Sequence, residues 1–421
     1  MNTNADIDMN NRTIVQYVTL TSLLCFAKGA IMTIYVPFLL SSGLNLLEVS
    51  LLNMFFFSTL FICEIPTGAF ADIYGRKASF VLSCFLISMG AFMYSVSRSF
   101  WGFASSEVVE ATGTAFASGA FKAWLVDKLQ HHGYTKSLLK ALSKTQIFNI
   151  VATVLATIVG SFISNFNIRL PFVWLGVFSF ITGVIAFFWL KEEYFVRKNV
   201  SLKLGLLAMK DTTTQSIEFG IKNKVVRFLL VIGLIQVFAI QAPNMQWTPY
   251  FLEYLKDKSL LGYLGAVVMI GMAIGSLIAN KFLSLVKDER KALTICQLLA
   301  GAGLVATTML PLPLGMVVFI LHEIPRGMFF PLKDKFLQDN IPSHARATIS
   351  SFESISPHLG GIFGLLVSGY VASRFGIPAA WIMSGSFMFI LTLIVSKGAS
   401  SHDDKMTTEQ KSVAPEMDIA T

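Results

Sequence analysis

The chain has 421 residues, 54% of them hydrophobic and only 14% charged, with 37 phenylalanines, a mean hydropathy of +0.64 and a formal net charge of +8. A soluble domain carries about a quarter charged residues, so this composition excludes a water-soluble enzyme and points to a bilayer, where about 20 apolar residues make one crossing. The basic residues fall in short loops between apolar stretches and not in one patch, which argues against nucleic-acid binding and reads as an orientation signal.

Residues 1–12 are polar and lack the basic start and small-residue cleavage site of a secretory signal; they are predicted to be a short cytoplasmic tail. Twelve stretches long enough to span follow, at about 13–41, 47–70, 79–97, 101–125, 144–165, 170–190, 228–250, 260–284, 292–310, 314–334, 347–373 and 377–396. The fold class is therefore an all-α integral membrane protein of twelve transmembrane helices in two six-helix halves, 13–190 and 228–396. Residues 191–227 form the central cytoplasmic loop between them. Its lysines and arginines alternate with apolar residues such as Leu202 and Leu206, which fits either an interfacial helix or a flexible tether. The polar tail 397–421 is expected to be disordered.

Twelve crossings put both ends on one side, and the basic residues say which. One set of loops holds twenty-five of the 33 lysines and arginines; the other holds Arg98, Arg169, Lys256, Lys258 and Arg374, and Lys28, Lys122 and Arg326 fall inside crossings. The rich side is cytoplasmic by the positive-inside rule, which places the chain in the cell (inner) membrane with both termini inside. The four cysteines lie in apolar stretches without paired spacing and read as small core residues, with no metal site or disulfide framework.

Helix packing accounts for most small residues. Ala152, Ala156 and Gly160, then Gly271 and Gly275, then Gly360, Gly364 and Ser368 recur every four residues and let backbones approach. Phe55, Phe56 and Phe57, then Gln246, Trp247, Pro249, Tyr250 and Phe251 at the outer end of the seventh stretch, are candidates to line an apolar cavity, with lipid-facing the alternative that holds for most of the phenylalanines, and Pro243 and Pro249 bend that stretch into a candidate outer gate.

Ionisable groups inside a bilayer are costly and mark ion or substrate pathways. Glu107 and Glu110 share a helical face, His322, Glu323 and Arg326 cluster in the tenth stretch, and Lys28, Glu64 and Glu353 complete the set. A carboxylate in an apolar cavity can alternate between protonated and ionised forms as the cavity opens to each side, so a proton gradient is the coupling source and no cofactor is needed. Glu110 and Glu107 rank first for that role, then Glu323. The bland alternative is a set of internal pairs, Glu110 with Arg326 or Glu107 with Lys28.

The run Gly68-x-x-x-Asp72-x-x-Gly75-Arg76-Lys77, between the second and third stretches, resembles the loop motif of the major facilitator superfamily in spacing, residue type and position. The Glu64-Ile65-Pro66-Thr67-Gly68 start and the run from Ser118 to Asp127 are similar to bacterial multidrug-export members. The resemblance implies that Asp72 faces the start of helix eleven and that Arg76 pairs with Asp127, a network that holds the halves together when the site faces outward. Two positions depart from the proton–drug antiporter pattern: the fifth stretch has Gly160 without a Gly-Pro cluster, and Val109 stands where an arginine is usual. The expected function is secondary transport of a small-molecule substrate, as proton-coupled export of amphipathic compounds by a monomer. The alternative is uptake of an anionic solute or metallophore bound by Lys28 and Arg326. A membrane-embedded enzyme or sensor is disfavoured, since the sequence has no nucleotide loop and no soluble domain for a catalytic site.

Overall fold

The computed structural model describes residues 4–134, 138–192, 224–340 and 360–400, and all regular structure within them is helical. The first half contains α1 (Asn4–Gly29), α2 (Tyr35–Ser41), α3 (Leu46–Tyr74), α4 (Arg76–Val96), α5 (Phe100–Ala117), α6 (Ala120–His131), α7 (Leu138–Ile163) and α8 (Leu170–Trp189). The second contains α9 (Lys224–Leu255), α10 (Lys258–Val286), α11 (Glu289–Met309), α12 (Leu312–Asn340), α13 (360–375) and α14 (Ile377–Ser400). Nine helices among the described residues are long and apolar enough to cross a membrane. The three other expected crossings are α1 with α2, α5 with α6, and the stretch ending in α13. Residues 4–12 are helical and continue α1, with Asn10 donating to the His132 carbonyl at 3.3 Å. Glu353, most of the central loop and the tail from 401 lie outside the described residues.

Two predicted single spans are broken helices. Pro37 in α2 has no N–H to continue the ladder back to Thr33, and the chain passes residues 30–34 in tight turns. The fourth span breaks at Ser118-Gly119, where Gly119 adopts φ +72°. The start of α3 is fixed locally: Asn45 Oδ1 accepts from Leu47 and Glu48 N–H at 2.9 and 3.0 Å, while Glu48 returns a carboxylate to the Asn45 N–H.

The expected small-residue stripes are the crossing points. A Cβ on Gly160 would meet the Ala30 backbone, one on Gly275 the Ile324 carbonyl, and one on Gly364 the Phe238 carbonyl. Gly68 is the exception. Its place one turn before Asp72 on the same helical face suits the close approach of another helix, yet nothing among the described residues lies within 4 Å of where its Cβ would stand. Of the cysteines, Cys84 and Cys296 are buried, whereas Cys25 and Cys63 are only half-buried.

The halves pack differently at their two ends. At the end bearing the Gly75-Arg76-Lys77 turn, each half has its own core: Tyr17, Phe80 and Trp124 in the first, Leu229, Phe329 and Phe336 in the second. At the distal end each core borrows from the other half, with Met245 packed on the Phe38–Phe103–Phe172 cluster and Leu46 on the Phe251–Phe319–Trp381 cluster. Gly262 packs on Ile158 and Ser161, Gly265 on Thr33 and Thr157, and Gly369 on Ser50. The described contacts between halves thus lie at the distal end, and the structure is closed there. Gln246, Trp247 and Phe251 are buried in this seam, so they are core residues here and not the cavity lining expected from their aromatic content.

Candidate functional site

At the motif turn, Gly75 adopts φ +100° and caps both α3 and α4, a conformation that side chains disfavour. Arg76, in the first turn of α4, reaches Asp72 Oδ1 at 3.3 Å and Asp127 Oδ2 at 3.5 Å. The implied Arg76–Asp127 pair is therefore formed, within one half. Asp72 could meet the start of helix eleven only through residues outside those described. Lys77 lies over the Phe187 ring, 5.4 Å from its centroid. The sequence reading missed Glu192. Its carboxylate accepts from the Arg76 and Lys77 N–H groups at 2.8 and 3.1 Å, at the electropositive end of α4. It ties the end of the sixth crossing to the loop, and an acidic residue just past that crossing was the available signal.

Each half holds one cluster of interior charged groups. In the first, α5 carries Glu107 and Glu110, both buried. Glu107 Oε1 accepts from the hydroxyls of Tyr35, on α2, and Tyr94, on α4, the latter at 2.5 Å. These tyrosines were not singled out, because a tyrosine in an apolar stretch looks like ordinary core. Lys28, in the last turn of α1, donates to Thr114 Oγ1 at 3.0 Å. In the second half, Arg326 Nη1 donates to Glu323 Oε1 at 2.7 Å and Nη2 donates to Asn244 Oδ1 on α9. His322 Nε2 lies 3.7 Å from the same Glu323 oxygen, and its Nδ1 is 2.5 Å from the Phe319 carbonyl. Glu323 is 1% exposed, so the arginine is its counter-charge in a nearly dry setting.

These arrangements correct the anticipated cross pairs. Glu110 does not pair with Arg326, nor Glu107 with Lys28: Arg326 meets Glu323 and Asn244, and Glu107 meets Tyr35 and Tyr94. Glu64 is exposed and joins neither cluster.

The distal seam carries a polar latch that the sequence did not reveal. Asn165, after α7, donates to Asp257 Oδ1 at 3.0 Å and to Ser259 Oγ at 2.6 Å, and Asp257 also caps the Ser259 N–H at 2.8 Å. The Asn165 amide, then the Ser259 N–H, hold the Asp257 carboxyl below its ordinary range. A group depressed in this way keeps its full contribution above the ordinary aspartate value of about 4 and loses it as pH falls through the lower folded value, so the latch persists across pH 5–8. Asn165→Asp, which sets two carboxylates side by side, is expected to open the distal end. Maleimide labelling of a cysteine at the buried Ser164, in a background without the native cysteines, should rise several-fold; unchanged labelling would show that the latch does not govern opening.

Two helical halves that meet at one end, each with charged groups in its interior, form the scaffold of a membrane transporter. A family model of the Major Facilitator Superfamily matches residues 18–256 and 229–415, and the chain belongs to that superfamily. Its fold and family are those of transporters and not of enzymes. The chain is 21% identical over 408 residues to an uncharacterized MFS-type transporter, YxaM of Bacillus subtilis, covering 93% of this chain and 98% of that one. It is 22% identical to the multi-drug resistance efflux pump PmrA of Streptococcus pneumoniae, covering 85% and 89%. The crystal structure of the nucleoside transporter NupG superposes with a TM-score of 0.72 at 15% identity, covering 92% and 98%, a likeness of fold.

Proposed function

We propose that the chain is a proton-coupled secondary transporter of small amphipathic molecules, working by alternating access between its two halves. The observation that carries this reading is the pair Glu107 and Glu110, buried on one face of α5 in a bundle whose described contacts between halves lie at its distal end. Coupling needs carboxylates that exchange protons with one side at a time, and two buried carboxylates on one helical face support that role. The proton gradient supplies the energy, and one chain suffices because both halves are present in it. The charge asymmetry of the loops supports a cell-membrane location with cytoplasmic termini, which makes the closed distal end the outer one. Arg76, Asp72 and Asp127, steadied by Glu192, then belong to the inner gate, with Gly75 providing the turn.

Export is the direction supported by likeness to a protein named as an efflux pump. A second reading, uptake of an organic anion, is favoured by Lys28, which meets a hydroxyl and no ion-pairing carboxylate among the described residues. Proteoliposomes with an imposed pH gradient test the shared core of both, using two-ring probes of opposite single charge, naphthalenesulfonate and N-methylquinolinium. Protein-dependent, gradient-driven movement of either probe is expected, and Glu110→Gln should lower it by about tenfold or more. Movement of neither probe, or full coupling in Glu110→Gln, would remove the proposal.

A further inference from the structure

The interior charges are not equally satisfied. Glu107 holds two tyrosine hydroxyls, and Arg326 is committed on both terminal nitrogens, to Glu323 and Asn244. Lys28 differs. Its ammonium has three donors, of which one meets Thr114 Oγ1, and among the described residues no carboxylate comes within ion-pairing distance. Its side chain is half-buried and not sealed from its surroundings. Glu110 lies one turn before Thr114 on the same face of α5 and accepts no hydrogen bond among the described residues, and the Lys28 charge acts on it.

While the motif end is open, water can solvate Lys28. Closing the carrier removes that water, and a bare ammonium in the membrane interior is strongly disfavoured. A counter-charge must therefore be present in the closed intermediate. In the empty carrier Glu110 is the one at hand.

We propose that the transported solute carries an anionic group that seats on Lys28 Nζ and Thr114 Oγ1, and that a proton neutralises Glu110 whenever the solute is bound. This rests on the reading of the chain as a proton-coupled carrier of amphipathic molecules. The charge balance is direct. Empty, Lys28 and ionised Glu110 cancel. With an anion bound and Glu110 ionised, the pocket holds one net negative charge and resists closure; with a proton on Glu110 it is neutral again. Solute and proton then cross together, which under an inward proton gradient is uptake, the second of the two directions given above in place of export. A cation seated on Glu110 would leave Lys28 without a counter-charge, so the pocket rejects cations. The Thr114 hydroxyl, which accepts from Lys28, has its own hydrogen free for the anion.

The other groups near Glu110 leave this balance intact. Glu107, on the same helix, is the second carboxylate that acts with it, and its oxygen is held by Tyr35 and Tyr94. From α4, Gly90 packs on the Glu110 backbone, and Cys84 lies within electrostatic reach of Lys28, as does Cys25 on α1. Arg326 is not the anion receptor, because its guanidinium is already divided between two partners.

The test uses the full chain in proteoliposomes with an inward pH gradient and the same two probes. Naphthalenesulfonate is expected to accumulate and N-methylquinolinium to stay out. Lys28→Ala should reduce naphthalenesulfonate uptake at least tenfold, Lys28→Arg should retain it within about threefold, and Glu110→Gln should keep probe exchange while losing accumulation against a gradient. Size-exclusion profiles matching the wild type separate loss of site from loss of fold, with Lys28→Arg as the control that keeps the charge. Accumulation of N-methylquinolinium instead, or unchanged naphthalenesulfonate uptake in Lys28→Ala, overturns the anion assignment and leaves the transporter reading standing. Movement of neither probe strikes the reading beneath it.

Discussion

Arg326→Leu is expected to destabilise the second half by about 3–5 kcal/mol, the usual cost of removing one partner from a buried ion pair. The cost comes less from the lost 2.7 Å bond than from what remains: Glu323, 1% exposed, would be ionised in a nearly dry interior with only His322 beside it. Asn244 would lose its guanidinium donor at the same time. Adding Glu323→Gln should restore most of the stability, because a neutral amide removes the uncompensated charge. Thermal unfolding in detergent, followed for the wild type and for single and double variants, checks this. A single variant as stable as the wild type would mean that Glu323 is neutral in the folded protein and needs no counter-charge. Function should separate from stability here: if Arg326 only balances Glu323, the repaired double variant still transports.

The second large effect belongs to the crossing of α10 and α12. A Cβ on Gly275 would meet the Ile324 carbonyl, and one on Gly327 the Met272 carbonyl, so each glycine lies against the backbone of the other helix. Backbone cannot rotate out of the way as a side-chain tip can. Gly275→Ala and Gly327→Ala should each cost about 1–3 kcal/mol, and the double variant less than their sum, since one separation of the helices relieves both clashes. Gly68→Ala is the contrasting case: no described residue lies within 4 Å of its Cβ position, and its stability should be close to wild type. Unfolding midpoints of the four variants decide the matter, and a Gly327→Ala protein as stable as the wild type would show that the two helices separate freely.

Much of the architecture was legible in the order of residues because burial in lipid is a one-dimensional constraint. A stretch of about 20 apolar residues has few alternatives to a spanning helix, and the loop charges follow from topology. The four-residue glycine stripes predicted close crossings at Gly160, Gly275 and Gly364, and all three are found. The sequence also carried the Arg76–Asp127 pair, through its likeness to a known loop motif. Where it overreached, the reason is local. Gly68 has the spacing of a packing glycine, but no described residue lies within 4 Å of its Cβ position, and the aromatic run at Gln246–Phe251 belongs to the closed seam.

The candidate site was legible as a set of residues but not as a set of partners. Helical periodicity placed Glu107 with Glu110, and His322 with Glu323 and Arg326, because neighbours three residues apart on one helix share a face whatever lies opposite. It could not say which helix stands opposite that face. Tertiary packing alone gave Glu107 to Tyr35 and Tyr94, Arg326 to Asn244, Glu192 to the turn at Gly75 and Asn165 to Asp257. It also left Lys28 with a hydroxyl in place of a carboxylate. The sequence by itself determined that this is a twelve-crossing membrane protein with charges in its interior, since hydropathy and charge count are properties of the chain. Which of those charges are balanced and which await a partner is decided by distances of a few ångströms between helices far apart in sequence, and only the assembled bundle sets them.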